Sequence, residues 1–212
     1  MKAIVVDHPG GPEVLSLRDV EPGEPGPHDL AVAITAAGVN YMDVGARTGQ
    51  YGPPLPHVPG VEGAGTVTAI GSAVTDFAVG DRVAWYFAWG SYAERIVLPA
   101  SAAVPIPPGI DDETAASVMM QGLTARRHGA RALGRGRGRP AADPDREGAR
   151  RSRHRQGVHR GEGGHRPCLF GWLLDGTLAH RIGGHYPLAD AARAHTDLES
   201  RRTTGKLLLL PG

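Results

Sequence analysis

Residues 30–47 read Leu30-Ala31-Val32-Ala33-Ile34-Thr35-Ala36-Ala37-Gly38-Val39-Asn40-Tyr41-Met42-Asp43-Val44-Gly45-Ala46-Arg47. Two periods meet in this stretch. Leu30, Val32 and Ile34 alternate with Ala31, Ala33 and Thr35, the period of a strand with one face on a core. A helix then starts after Asn40, which is a good N-cap. Asp43 takes the third helical position, and Val39 and Val44 are spaced as a hydrophobic staple. On that helix Asn40, Asp43 and Arg47 share one side and offer an amide, an anion and a cation to a pocket. Spacing alone supports both readings, a well-capped helix start and a polar site.

The same punctuation continues on either side. Lys2 to Val6 is a β-branched run stopped by Pro9-Gly10-Gly11-Pro12, and Val14, Leu15 and Leu17 suggest a second strand closed by the Pro- and Gly-rich residues 22–27. Further strands are expected at 64–70, 82–87, 92–98 and 103–106. Many short strands at even spacing predict a barrel or sandwich, not a βαβ array. A second helix is expected from Asp111-Asp112, just past Pro108-Gly109. It carries Ala115, Val118, Met119 and Leu123, with acids at the positive end of its dipole.

Beyond Ala125 the character changes. Residues 126–166 hold thirteen arginines and four carboxylates, a surplus of nine positive charges, while the rest of the chain carries a deficit of eight. Arg, Gly, Pro, Ala and His dominate, and neither helical nor strand period emerges. Such a segment buries too little apolar area to offset the ~1–2 kcal/mol per residue of backbone ordering, so 126–169 is expected to be irregular or disordered. Its charge suits nucleic acid, but without interleaved aromatics or a known module that partner is not expected. Order returns near Phe170. A strand is expected over Gly176 to Ile182, a helix opened by Pro187 with Leu188, Ala191, Ala192 and Leu198 on one face, and a buried strand from Lys206 to Leu210.

Cys168 is the single cysteine, so no intrachain disulfide forms, which fits a reducing compartment and excludes four-cysteine zinc sites. His154, His159, His165 and Cys168 match no standard zinc spacing, and no metal is expected. The N-terminus lacks the apolar run of a signal peptide, and no stretch approaches the ~20 apolar residues of a membrane helix. A cytoplasmic protein is the expectation.

Several stretches together carry a family resemblance. Gly38-Val39-Asn40-Tyr41-Met42-Asp43 through Arg47-Thr48-Gly49-Gln50-Tyr51 resembles the zinc-free quinone oxidoreductase (zeta-crystallin-like) branch of the medium-chain dehydrogenase/reductases. So do Met1-Lys2-Ala3-Ile4 with Gly10-Gly11-Pro12-Glu13-Val14-Leu15, Pro59-Gly60-Val61-Glu62-Gly63-Ala64-Gly65, Val79-Gly80-Asp81-Arg82-Val83, Gln121-Gly122-Leu123-Thr124-Ala125, and the tail from Tyr186 to Lys206. The match covers residues 1–125 and about 170–212. It implies a GroES-like β-barrel domain over 1–125, a degenerate and truncated Rossmann remnant, and a family-like C-terminal helix and strand over 170–212. The class is mainly β with some α. It further implies NADPH as hydride donor to a quinone, enone or carbonyl, and a homodimer. By resemblance, Asn40, Asp43 and Tyr51 are the catalytic-cleft residues, and Asn40, Arg47, Thr124, Gly205 and Lys206 approach the cofactor. Glu62, with no His beside it, is expected to be structural and not a zinc ligand.

One part of the family pattern is missing. A dinucleotide fold needs a strand, a Gly-rich turn and a helix in succession, and Gly136-x-Gly138-x-x-Ala141 follows no strand. Most of the cofactor domain is absent from 126–169, which the composition suggests is out-of-frame sequence. An impaired reductase is the leading expectation, and a non-catalytic barrel remnant that binds a partner, or a product without function, is the alternative. The helix at 111–124 and the strand at 206–210 are expected to lack the neighbours of a complete domain and to expose apolar surface.

Overall fold

The computed structural model describes residues 1–127 and 166–212, with side chains for 1–122 and 169–212. Strand β3 (Asp29–Gly38) organises it. Leu30, Val32 and Ile34 are buried and Ala33 and Thr35 exposed, as alternation predicts, while Ala31 is buried as well. One edge of β3 pairs antiparallel along its length with β4 (Glu62–Ile70), with register shifts at Ala31/Val32 and Ile34/Ala36. The other edge is shared. Residues 29–33 pair with β6 (Arg95–Pro99), and Ala37 and Gly38 pair with β9 (Lys206–Leu210). The sheet continues outward through β5 (Arg82–Tyr86) and β7 (Ala103–Pro105), and on the far side β8 (Ile182–Pro187) pairs parallel to β9. Strands β1 (Lys2–Val5) and β2 (Ser16–Asp19) form a separate ribbon. Helix α1 (Tyr41–Arg47) follows β3, α2 (Asp112–Arg127) follows β7, and α3 (Arg166–Leu174) and α4 (Ala191–Glu199) flank β8.

Two apolar clusters hold these layers. Ile4, Val32, Ile34, Val67, Trp85, Tyr92 and Leu98 fill the barrel side. Ala36, Ala64, Ala84, Met119, Leu169, Phe170 and Leu208 fill the space between the sheet and helices α2 and α3. This second cluster corrects the expectation of a stripped helix and strand. Leu207, Leu208 and Leu209 are fully buried, because β9 sits between β3 and β8, and α3 covers α2. The carboxyl-terminal strand therefore completes the barrel sheet. No helix among the described residues is long and apolar enough to cross a membrane.

Smaller differences have local causes. Residues 12–14 form a turn of 3-10 helix, and β2 begins only at Ser16. The strand expected over 176–182 starts at Ile182, because Gly176 has φ +74° and Asp175 Oδ1 accepts the Thr177 N–H, closing a turn. Pro187 ends β8 in an extended conformation, and α4 opens after the short turn 188–190. The C-terminal piece begins as a helix at Arg166. The rest of the irregular segment, including His154, His159 and His165, lies outside the described residues.

Candidate functional site

The site begins where β3, β4, α2 and β9 converge. Gly38 ends β3 with no side chain, and a Cβ there would lie 2.5 Å from Lys206 Cε, 2.7 Å from Glu62 Oε2 and 2.9 Å from the Ala116 carbonyl. That gap admits a buried ion pair between Lys206 and Glu62 Oε2. Lys206 Nζ also donates to Asn40 Oδ1 at 2.8 Å and to Gln121 Oε1 at 3.2 Å. Asn40 Nδ2 donates to Glu62 Oε2 at 2.9 Å and to the Gly38 carbonyl at 3.1 Å, and Gln121 Nε2 donates to Asn40 Oδ1 at 3.1 Å. Glu62 Oε1 accepts the Met120 N–H at 2.7 Å.

These contacts fix both amides without ambiguity. A lysine ammonium only donates and a carboxylate only accepts, so each amide must present oxygen to Lys206, and Asn40 must present nitrogen to Glu62. The three donors of Lys206 meet three acceptors, and all four hydrogen-bonding positions of the Asn40 amide are filled. Of the four side chains, Gln121 alone is exposed. It faces a cavity of about 470 Å³ bounded by α2 (Ser117, Val118), the loop 178–181 with Arg181, and Gly205 to Leu207. Gly205 has φ +98°, and a Cβ on it would lie 2.5 Å from the Arg181 carbonyl, so glycine lets this loop close against β9.

A second buried network runs behind the first. Asp43 Oδ2 accepts the Asn40 backbone N–H at 2.8 Å, closing one half of a capping box, and the Tyr92 hydroxyl at 2.9 Å. The Tyr92 hydroxyl lies 3.0 Å from His195 Nε2, and His195 Nδ1 lies 3.4 Å from Arg47. Arg47 donates through both terminal nitrogens to Glu199, each at 3.0 Å. Arginine cannot accept, so His195 presents a bare Nδ1 to Arg47 and a protonated Nε2 to Tyr92, and Tyr92 donates to Asp43. Burial lifts the Asp43 carboxyl to about 7, opposed by its bonds from Asn40 and Tyr92. Burial and the Arg47 charge hold the His195 imidazole down to about 3. Asp43 Oδ1 has no partner among the described residues.

The structure thus separates residues that spacing put on one side. Lys206 and Gly205 line the cavity, and Asn40 is buried behind them, bonded to Lys206 and Gln121. Asp43 and Arg47 point away from it, and Arg47, buried and paired with Glu199, does not face the cavity. Tyr51 is exposed and lies over Gly45, with its hydroxyl 3.5 Å from the Tyr41 carbonyl, away from the cavity. The Thr124 side chain lies outside the described residues. Glu62 is buried, paired with Lys206 and bonded to the Met120 N–H. Sequence reading missed Gln121, Tyr92 and His195 as site members. The available signal was a histidine on the apolar face of α4, beside Ala191 and Ala194.

Comparisons with known proteins agree with this architecture. The alcohol dehydrogenase GroES-like domain family matches residues 26–108, and the zinc-binding dehydrogenase family matches 118–209. A quinone oxidoreductase of Pseudomonas aeruginosa is 51% identical over 117 residues, covering 54% of this chain and 36% of that protein. The chain is thus similar to quinone oxidoreductases of the medium-chain dehydrogenase/reductase type. It spans a little over a third of the length of the curated relatives it matches. A mycobacterial quinone oxidoreductase structure superimposes with a TM-score of 0.78 at 26% identity, covering 100% of each chain, and a mycobacterial structure complexed with NADPH gives the same figures. Among the described residues, no group of three or more His, Cys, Asp or Glu side chains is placed to hold a metal ion.

Proposed function

We propose that this chain carries the barrel side of an NADPH-dependent quinone oxidoreductase and that its cavity takes the nicotinamide end of the cofactor beside a quinone, enone or carbonyl acceptor. The carrying observation is the cavity at the junction of α2 and β9, with apolar walls from Val39, Val118 and Leu207 and polar groups from Ser117, Gln121 and Arg181. Its volume lies within the ~300–1,000 Å³ of small-ligand sites, and mixed lining suits a flat ring with polar substituents. NADPH, when bound, supplies a hydride that with one proton reduces a quinone to its hydroquinone. The chain's own part is to orient and to exclude water. Asn40 and Lys206, both saturated, hold the wall rigid, Gln121 faces the ligand, and the Arg181 guanidinium suits a phosphate.

The hold on the adenosine side is weak in this reading. Among the described residues, the only parallel pairing is β8 with β9, and a dinucleotide fold needs strand, Gly-rich turn and helix to seat the pyrophosphate. Weak binding and impaired turnover follow. The family's homodimer and a cytoplasmic setting belong to the same proposal. The saturation of Asn40 and Lys206 favours a second reading, in which the barrel is a non-catalytic binding module. Titrating the purified chain with NADPH while following nucleotide fluorescence, then assaying quinone-dependent NADPH oxidation, separates the two. Saturable binding with slow turnover supports the reductase. A folded chain that ignores millimolar NADPH leaves the binding-module reading.

A further inference from the structure

We infer that Gln121 is the ligand-recognition residue of the cavity, and that its unused amide N–H donates to a carbonyl oxygen of the bound molecule. This rests on the reading of the cavity as a cofactor and acceptor site. Gln121 Oε1, Lys206 Nζ and Asn40 Oδ1 close a ring of hydrogen bonds with Gln121 Nε2. The ring uses one N–H and one lone pair of the Gln121 amide and locks its plane. The second N–H and the second lone pair have no partner among the described residues, and the side chain is exposed on the cavity wall. A free glutamine loses side-chain entropy when it binds, whereas this one is held in place before the ligand arrives. The ring also explains the buried ion pair. Lys206 anchors the amide oxygen, Glu62 anchors Lys206 and Asn40, and the donor left over faces the cavity.

A carbonyl oxygen is the matching group, and it can come from the nicotinamide carboxamide or from a quinone. The test titrates the intact chain, Gln121→Met and Gln121→Glu with three ligands, namely NADPH, a 1,4-naphthoquinone, and adenosine 2′,5′-bisphosphate, which has phosphates but no carbonyl. Gln121→Glu keeps an acceptor for Lys206 while removing both N–H donors, the one to Asn40 included, so the ring opens at Asn40 in both variants, and the phosphate-only ligand together with the melting temperature separates loss of the free donor from loss of the ring. Removing one neutral hydrogen bond should weaken the carbonyl ligand about fivefold in both variants. The bisphosphate should be unaffected. Weakening of NADPH alone assigns the carboxamide, and weakening of the quinone alone assigns the acceptor. Unchanged binding of both overturns the assignment while leaving the cavity reading intact. Equal weakening of all three ligands with a lowered melting temperature overturns it too, since that marks a structural role. An intact chain that binds neither NADPH nor the quinone overturns the cavity reading and this assignment together.

Discussion

Replacing Lys206 with methionine should unfold this protein more readily than its single lost charge suggests. The ammonium is buried against Glu62, which has no exposed surface, and it donates to Asn40 and Gln121 as well. Lys206→Met leaves the fully buried Glu62 carboxylate with only Asn40 Nδ2 and the Met120 N–H as donors among the described residues. Breaking a buried pair on one side costs about 3–5 kcal/mol, because an uncompensated charge stays behind. Against a domain stability of about 5–15 kcal/mol this is a large fraction. Neutralising the partner should reverse most of it. In Lys206→Met with Glu62→Gln no charge remains, and the net cost should fall to about 1–2 kcal/mol, set by the hydrogen bonds to Asn40 and Gln121 that are not remade. Urea unfolding followed by tryptophan fluorescence measures all four species, since Trp85 is fully buried. A Lys206→Met loss below about 1 kcal/mol, or a double substitution no better than the single one, would refute the reasoning.

Three further outcomes follow from the same contacts. Asp43 and His195 pull stability in opposite directions with pH. Asp43, raised from 3.8 to about 7, contributes stability that is present below 3.8 and lost as pH rises through 7. His195, depressed from 6.5 to about 3, contributes stability that is present above 6.5 and lost as pH falls toward 3. The two slopes cancel between 3.8 and 6.5, so Asp43→Asn should expose the histidine, and stability should then rise by up to about 1.4 kcal/mol per pH unit across that window; a profile as flat as the parent's would contradict it. Leu208→Ala should cost about 2–5 kcal/mol by opening a cavity between the sheet and α2, read as a drop in urea midpoint at unchanged slope. Gly38→Ala places a methyl against Lys206, Glu62 and the Ala116 carbonyl and should cost about 1–3 kcal/mol in the same assay.

Much of the fold was legible because its signals are local. The alternation of Leu30, Val32 and Ile34 sets β3, Pro108-Gly109 followed by two aspartates sets the start of α2, and the run Lys206 to Leu210 sets β9. Boundaries failed where a turn overrode composition, as at Asp175 to Thr177, where a side-chain cap and a left-handed glycine hold back β8. The site was half legible. Asn40, Gly205 and Lys206 carry family motifs and do converge. The roles of Asp43 and Arg47 depend on Tyr92 and His195, which meet across 103 residues of sequence, and periodicity has no access to such a pairing. Tyr51 was placed in the cleft by resemblance, while its ring rests on Gly45, where the missing side chain makes room for it.

The most direct test of the account is hydrogen exchange of the intact chain with and without NADPH. The account predicts slowed exchange confined to the cavity walls, at residues 117–122, 178–181 and 205–207, with strands β1 to β7 unchanged. Protection elsewhere, or none at a concentration where the chain remains folded, would contradict the assignment of the cavity as the nicotinamide site.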